Sequence, residues 1–249
     1  MKDRRLVMGM PIEIEIADAH ATLGALDDAF AFLESVDARY SPYKDDSEVS
    51  RLNRGELTEA TISGEFRDIL ERAELMKRAT GGSFDVRRPD GRLDPSGLVK
   101  GWAIRETAER LARAGFRHFF VNAGGDIAMR GENASGEPWS VGIENPFKRE
   151  EIVKVVYPRS RGIATSGSYI RGAHIYDPLA PGRALEDIVS ITVIGPDVEQ
   201  ADAYATAAFA KGREGIAFIE ASPGFEGYMI DAQGTATMTS GFAACTVRP

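Results

Sequence analysis

The sequence predicts an α+β fold in which helices pack with a mixed, largely antiparallel sheet. Three observations support this class: segments of alternating apolar residues, segments with apolar residues at helical spacing, and glycine-containing turns between strand-like segments. The 249 residues are 43% hydrophobic and 27% charged, which is typical of a globular protein that buries a sizeable core. No internal repeat or linker-like segment divides the chain, so we expect a single domain over residues 1–249.

The N-terminal half contains one strand-like segment and three helical segments. Isoleucine and glutamate alternate within residues 10–18, which predicts a half-buried strand. Apolar residues recur at helical spacing in residues 21–40, 63–82 and 98–115, with Gly81 placed to end the second helix. The segments that follow the first and second helices are polar or rich in glycine and proline, and we interpret both as loops.

The C-terminal half is mainly strand-like. Residues 116–131 read as two strands joined by a tight turn at Gly124 and Gly125. Further strands are predicted at 139–145, 151–157 and 187–195, with residues 164–182 as a loop and residues 227–242 as a hairpin. The alanine-rich residues 199–212 lie between the last strand and that hairpin and have the composition of a helix.

Composition excludes several classes of function. The net charge is −8, and no lysine and arginine run is interleaved with aromatic residues, so we expect no nucleic-acid partner. Cys245 is the only cysteine, which excludes an intrachain disulfide and a CxxC zinc site. No apolar run reaches the length of a membrane span, and no signal peptide or lipid-acceptor cysteine is recognisable. We therefore expect a soluble, cytoplasmic protein.

Asp202 and Thr206 are the polar side chains that stand out in the alanine-rich segment. Residues four apart lie on one face of a helix, so the carboxylate and the hydroxyl would point the same way. Oxygen ligands of this kind suit Mg²⁺, and small alanine side chains would admit a bulky ligand. The alternative is a buried helix in which Asp202 favours the first turn and Thr206 bonds back to a carbonyl.

Two glycine-containing segments and one histidine are further candidates. Gly97 and Gly101 bracket Lys100 at the start of a helix, where backbone N–H groups and a lysine could bind phosphate; a solvated lysine is the alternative. The segment "VNAGGDI" lacks the Rossmann glycine spacing and is explained equally well by a hairpin. His174 stands beside Tyr176 and could accept a proton at neutral pH, although an isolated loop histidine is more often structural.

Taken together and in order, these segments resemble the FAD:protein FMN transferases, the ApbE-type flavin transferase family. The resemblance runs through nearly the whole chain, in residues 8–10, 41–53, 80–85, 94–104, 121–127, 165–178 and 191–206. It implies that a Mg²⁺-dependent enzyme removes FMN from FAD, attaches it to a threonine or serine of an acceptor protein and releases AMP.

The resemblance also implies roles for individual residues. Asp202 and Thr206 match the metal-binding acid and hydroxyl of the family, and the Gly97 carbonyl would be a further metal ligand. His174 matches the first residue of the family's His-x-x-Asp-Pro block and would be the base that activates the acceptor hydroxyl. Contacts with FAD are implied for Met8, Tyr43, Ser83, Phe84, Asp85, Asp94, Lys100 and Tyr176. Stacking on the flavin or adenine is expected of Tyr43 and Phe84, with core packing as the alternative for each.

The sequence also departs from the usual family pattern. Pro95 and Ser96 precede Gly97 where the family usually has a glycine pair, and residues 177–183 lack the usual Asp-Pro-Arg-Thr-Gly, with Arg183 as the basic residue that could substitute. Two other functions stay open at this point. Water could replace the acceptor hydroxyl, which would give an FAD hydrolase that produces FMN and AMP. A non-catalytic protein could instead bind or store FAD.

Overall fold

The computed structural model of the protein describes residues 1–167 and 175–249. Its helices are α1 (Leu23–Tyr40), α2 (Glu48–Asn53), α3 (Gly64–Ala79), α4 (Ser96–Arg113), α5 (Val198–Ala210) and α6 (Gly215–Glu220). Its strands are β1 (Lys2–Val7), β2 (Met10–Ile16), β3 (Phe119–Ala123), β4 (Asp126–Arg130), β5 (Val141–Asn145), β6 (Lys148–Val156), β7 (Gly162–Gly167), β8 (Ile188–Gly195), β9 (Glu226–Asp231) and β10 (Ala236–Met238). Two short 3₁₀ helices occupy Gly212–Glu214 and Phe242–Thr246.

One large sheet organises the structure. Within the described residues its strands follow the order β1-β2-β3-β4-β7-β8-β9-β10, and each neighbouring pair is antiparallel. Strands β5 and β6 form a separate antiparallel hairpin. The α+β class with a largely antiparallel sheet is therefore confirmed.

The two faces of the large sheet are covered differently. Ile12, Ile14 and Ile16 of β2 are fully buried and pack in one core with α1, α3 and α4, as the alternation with glutamate predicts. In β4, Ala128 packs against this core, whereas Ile127 packs in another cluster with residues of the β5–β6 hairpin. Since successive side chains of a strand point to opposite faces, the helices cover one face and the hairpin covers part of the other.

The helix starts have clear physical causes. Thr22, Ser63 and Asp197 precede α1, α3 and α5, and each side chain accepts a hydrogen bond from a backbone N–H in the first turn. α4 begins at Ser96, two residues before the predicted helix. Its N-cap residue is Pro95, and Asp94 Oδ1 accepts hydrogen bonds from the backbone N–H and the hydroxyl of Ser96 at 3.2 and 2.6 Å.

Some elements differ from the sequence prediction. The segment predicted as a polar loop after α1 contains α2, a short helix capped by Ser47 in which only Val49 is buried. The segment predicted as a loop from residue 164 begins as the end of β7, which pairs with β8 along its whole length. β1 and α6 were not predicted, since β1 is mostly charged and α6 is too short to show a helical period. Among the described residues, no helix is long and apolar enough to cross a membrane.

Candidate functional site

A cavity of about 340 Å³ lies on the helical side of the sheet, between α4, α5, the end of β7 and the loops around them. All the residues with implied FAD or metal contacts that the structure describes line this cavity: Met8, Tyr43, Ser83, Phe84, Asp85, Asp94, Gly97, Lys100, Tyr176, Asp202 and Thr206. They come from segments scattered along the chain, so the fold alone brings them together. His174, the predicted base, lies outside the described residues.

The inner end of the cavity contains one lysine between two buried carboxylates. Lys100 Nζ of α4 forms ion pairs with Asp126 Oδ2 and, at 3.2 Å, with Asp202 Oδ1. Asp126 and Asp202 are 1% and 2% exposed. These three side chains bring one formal positive charge and two formal negative charges together in a largely buried place. The interpretation of Lys100 as a solvated lysine is wrong, because its side chain is only 16% exposed.

Asp126 is the residue of this cluster that the candidate set lacked. Gly124 and Gly125 have φ of 63° and 100° and form the two-residue turn between β3 and β4, so Asp126 is the first residue of β4. Its Oδ1 accepts a hydrogen bond from the Thr165 backbone N–H at 3.0 Å. A carboxylate directly after a glycine turn was the available signal, but the sequence does not indicate that it turns toward Lys100.

Asp202 and Thr206 share the cavity-facing side of α5, as their spacing predicts. Thr206 Oγ1 lies 3.5 Å from Ser166 Oγ on β7, so two hydroxyl groups flank the space beside Asp202. The interior of α5 is otherwise largely alanine, and its buried alanines pack against both the sheet and α4. The interpretation of this segment as a buried helix is thus also correct, and the two polar side chains line the cavity from within it.

Gly101 sets the separation of α4 and α5. A Cβ atom at Gly101 would lie 2.9 Å from Glu199 Cα and 3.1 Å from Asp202 Cβ, closer than side-chain atoms ordinarily approach. Glu199 is itself 2% exposed and accepts a hydrogen bond from Arg105 Nε at 2.7 Å. Burial alone would lower the pKa of Arg105, but the hydrogen bond and charge of Glu199 raise it above its ordinary value. The Arg105–Glu199 contact joins the first turn of α5 to α4 and so holds Asp202 opposite Lys100.

The outer rim of the cavity is built from loops and turns. The Tyr43 side chain is 87% exposed in the loop after α1. Met8 occupies the β1–β2 turn with φ of 55°, an unusual conformation for a residue with a side chain. Tyr176 donates a hydrogen bond to the Arg87 carbonyl at 3.3 Å, and burial followed by the charge of Asp85 raises the pKa of its phenol. Tyr176 therefore stays protonated at neutral pH.

Phe84 joins the rim to the core. It is 3% exposed, and a Cβ atom at Gly97 would lie 3.4 Å from its ring, so Phe84 packs against the first turn of α4 while it lines the cavity. Its neighbour Asp85 forms an ion pair with Lys77 at 2.7 Å. Core packing is thus observed for Phe84 and not for Tyr43.

Arg183 does not supply the basic residue expected near the phosphates. Its guanidinium lies 3.3 Å from Asp177 Oδ2 and donates to the Ala210 carbonyl at 3.1 Å, and Arg183 is not among the described residues that line the cavity. Among the residues that the structure describes, Lys100 and Arg88 are the basic side chains that line it.

The inner end of the cavity contains oxygen donors that suit Mg²⁺. No group of three or more His, Cys, Asp or Glu side chains suited to a metal occurs in residues 1–167 and 175–249. Mg²⁺, however, is usually held by one or two carboxylates together with other oxygens, waters and substrate phosphates. Asp202, Thr206 and Gly97 all line the cavity and offer a carboxylate, a hydroxyl and a backbone carbonyl. The donor set therefore fits Mg²⁺ bound together with a phosphate-containing ligand.

Comparison with known proteins identifies the family. The family model described as ApbE family matches residues 8–88 and 86–229, which is most of the chain. The chain belongs to the ApbE family. An FAD:protein FMN transferase from Haemophilus influenzae is 27% identical over 74% of this chain and 71% of its own length. One from Vibrio cholerae is 27% identical over 83% of this chain and 78% of its own. The crystal structure of an ApbE protein from Thermotoga maritima superposes with a TM-score of 0.88 at 19% identity, covering 100% and 99% of the two chains, which confirms the fold.

Proposed function

We propose that this chain transfers FMN from FAD to a threonine or serine hydroxyl of an acceptor protein, with Mg²⁺ required and AMP released. Its family relatives are named FAD:protein FMN transferases, which makes the chain an enzyme that transfers flavin to protein. The finer statement is supported chiefly by the inner end of the cavity, where Lys100 lies between two buried aspartates beside the Thr206 hydroxyl.

Lys100 and Asp202 would act on the pyrophosphate of FAD. Displacement at phosphorus is promoted mainly by positioning the reacting groups and by neutralising the charge that develops on the phosphate oxygens. Lys100 is held by two carboxylates and therefore presents a positive charge in a fixed position. Asp202, Thr206 and the Gly97 carbonyl would hold Mg²⁺, which supplies Lewis-acid neutralisation and orients the phosphates when bound.

The rim residues would hold the ring systems of FAD. Tyr43 and Tyr176 present aromatic side chains at the cavity, and Met8 adds an adaptable apolar one. His174 is proposed, on its sequence block alone, to take the proton of the acceptor hydroxyl.

One assay separates the transferase from its alternatives. The protein is incubated with FAD, Mg²⁺ and a mixture of threonine-containing peptides, and peptide mass and free AMP are followed. A peptide mass increased by FMN with equivalent AMP supports transfer, which is the expected result. AMP and FMN without modified peptide would indicate an FAD hydrolase, and bound FAD without AMP would indicate a storage protein; either would overturn the proposal.

A further inference from the structure

A second cavity, of about 780 Å³, lies on the sheet face opposite the helices and beside the β5–β6 hairpin. We call it the β5 groove. Its lining is a set of residues from β3, β4, β5, the segment just before β5 and the neighbouring strands of the large sheet. None of the candidate FAD or metal residues that the structure describes belongs to this set, so the groove needs a separate explanation.

One wall of the groove is the open edge of β5. All consecutive residues from Ser140 to Glu144 line it, although successive side chains of a strand point to opposite faces. The groove therefore runs along the edge of the strand rather than over one of its faces. Among the described strands β5 pairs with β6 alone, so its other edge presents unpaired backbone N–H and C=O groups. An edge of this kind can accept an extended polypeptide as an additional strand.

The floor of the groove suits the side chains of such a polypeptide. Phe120 and Trp139 meet edge to face with ring centroids 5.0 Å apart, and Trp139 Nε1 donates a hydrogen bond to the Arg130 carbonyl at 3.0 Å. Ile127 and Met129 of β4 extend this apolar surface. In an added strand every second side chain faces one side, so apolar residues at alternate positions would pack on the floor.

The groove meets the candidate active site at one point. Gly124 and Thr165 line both cavities. The Thr165 backbone N–H donates to Asp126 Oδ1, and Asp126 forms an ion pair with Lys100, so the junction lies beside the inner, polar end of the first cavity. Gly124 adds no side chain there. A chain lying in the groove can therefore reach the place where the phosphate of FAD is proposed to bind.

We propose that the β5 groove binds the acceptor protein, as an extended segment that pairs with β5 and brings its threonine or serine to the junction at Gly124 and Thr165. This inference rests on the proposed function, since it supplies the second substrate of that reaction. The segment recognised would have apolar side chains at alternate positions, packed on Phe120 and Ile127. Main-chain pairing would give the affinity, and the floor would give the selectivity.

The test uses two tryptophan variants of the hairpin. Ser140→Trp places an indole in the groove from an exposed position, whereas Val155→Trp places one on β6, at an exposed residue outside the groove. The probe is a mixture of peptides of about ten residues with a central threonine and randomised flanks, long enough to cover the five residues of β5 at about 3.3 Å each. FMN transfer, FAD affinity and amide hydrogen exchange of Val141–Asn145 are measured.

We expect Ser140→Trp to lower transfer by about tenfold or more, with FAD affinity unchanged and Val155→Trp equal to wild type. The peptides should slow amide exchange in β5 of the wild type. N-methylation of the peptide backbone, in peptides selected for transfer, should block FMN transfer at one set of alternate positions only. If Ser140→Trp does not affect transfer, the β5 groove does not bind the acceptor, and the proposed function stays intact. Slowed exchange without transfer would support the groove and refute the proposed function. If the peptides neither slow amide exchange in β5 nor receive FMN, both proposals are overturned.

Discussion

The inner end and the outer rim of the cavity are built in different ways. At the inner end Lys100, Asp126 and Asp202 stand on α4, β4 and α5 and are largely or fully buried. At the rim Tyr43 and Met8 stand on a loop and a turn, and Tyr43 is almost fully exposed. Charged groups are thus fixed by regular structure where phosphate chemistry is proposed, and aromatic groups are left adaptable where rings would bind. Substitutions at the inner end should therefore act mainly on turnover, and those at the rim mainly on FAD affinity.

The largest effect is expected from Asp202. Asp202→Ala should lower turnover by about 10³-fold or more at millimolar Mg²⁺, because a bound metal supplies several kcal/mol of transition-state stabilisation. Turnover is measured as AMP release. Asp197→Ala is the matched control on the same helix: it removes the N-cap and should cost about 0.5–2 kcal/mol of stability without comparable loss of turnover. Full activity of Asp202→Ala would refute the metal assignment.

Asp126→Asn should have the next largest effect. The asparagine keeps an oxygen for the Thr165 N–H but removes one of the two carboxylates that hold Lys100, and loss of such a supporting group typically costs about 10–100-fold in activity. Asp231→Asn provides the control, since Asp231 is buried and paired with Arg213 outside the cavity. Equal turnover of both variants in a steady-state assay would contradict a role for Asp126.

Gly101→Ala tests the spacing of α4 and α5. The new methyl group would overlap Glu199 and Asp202, and overpacking costs about 1–3 kcal/mol. Alanine gains up to about 1 kcal/mol over glycine in a helix, so we expect a net loss of stability together with about a tenfold loss of turnover. Gly64→Ala in α3, where nothing lies within 4 Å, should leave turnover unchanged and should keep or raise the stability. Thermal denaturation and AMP release decide the point, and a fully active Gly101→Ala would show that the spacing tolerates change.

The smallest effect is expected at the rim. Tyr43→Ala should raise the KM for FAD by up to about tenfold, the worth of one aromatic contact, with kcat unchanged. The melting temperature should not change, because the side chain is exposed. Tyr43→Phe keeps the ring and should behave as wild type. A fall in kcat with unchanged KM would place Tyr43 in the chemistry instead of in binding.

Features that depend on residues close together in the sequence could be predicted. They are the alternation in β2, the apolar spacing of α1, α3 and α4 and the glycine turn before β4. The charged edge strand β1 and the short helix α2 carry no such period and were missed. The spacing of Asp202 and Thr206 correctly predicted a shared face.

The contacts of the candidate site that the sequence did not predict depend on packing between residues far apart in the chain. The approach of Asp126 to Lys100 depends on how β4 packs against α4. The close approach of Gly101 to Glu199 depends on how α4 and α5 pack against each other. Neither contact has a local signature. The contact of Arg183 with Asp177 also has no local signature in the sequence. The β5 groove likewise arises only when the hairpin is seen beside the large sheet.

The division between an inner metal and phosphate end and an outer ring-binding rim is tested most directly by flavin fluorescence titration. FAD and riboflavin, which lacks phosphate, are each titrated with wild type and Asp202→Asn, in Mg²⁺ and in EDTA. We predict that Mg²⁺ tightens FAD binding to the wild type by about tenfold or more and leaves riboflavin binding unchanged. The Asp202→Asn variant should lose this Mg²⁺ effect. FAD affinity that is independent of Mg²⁺ in the wild type, or an undiminished Mg²⁺ effect in Asp202→Asn, would contradict the assignment.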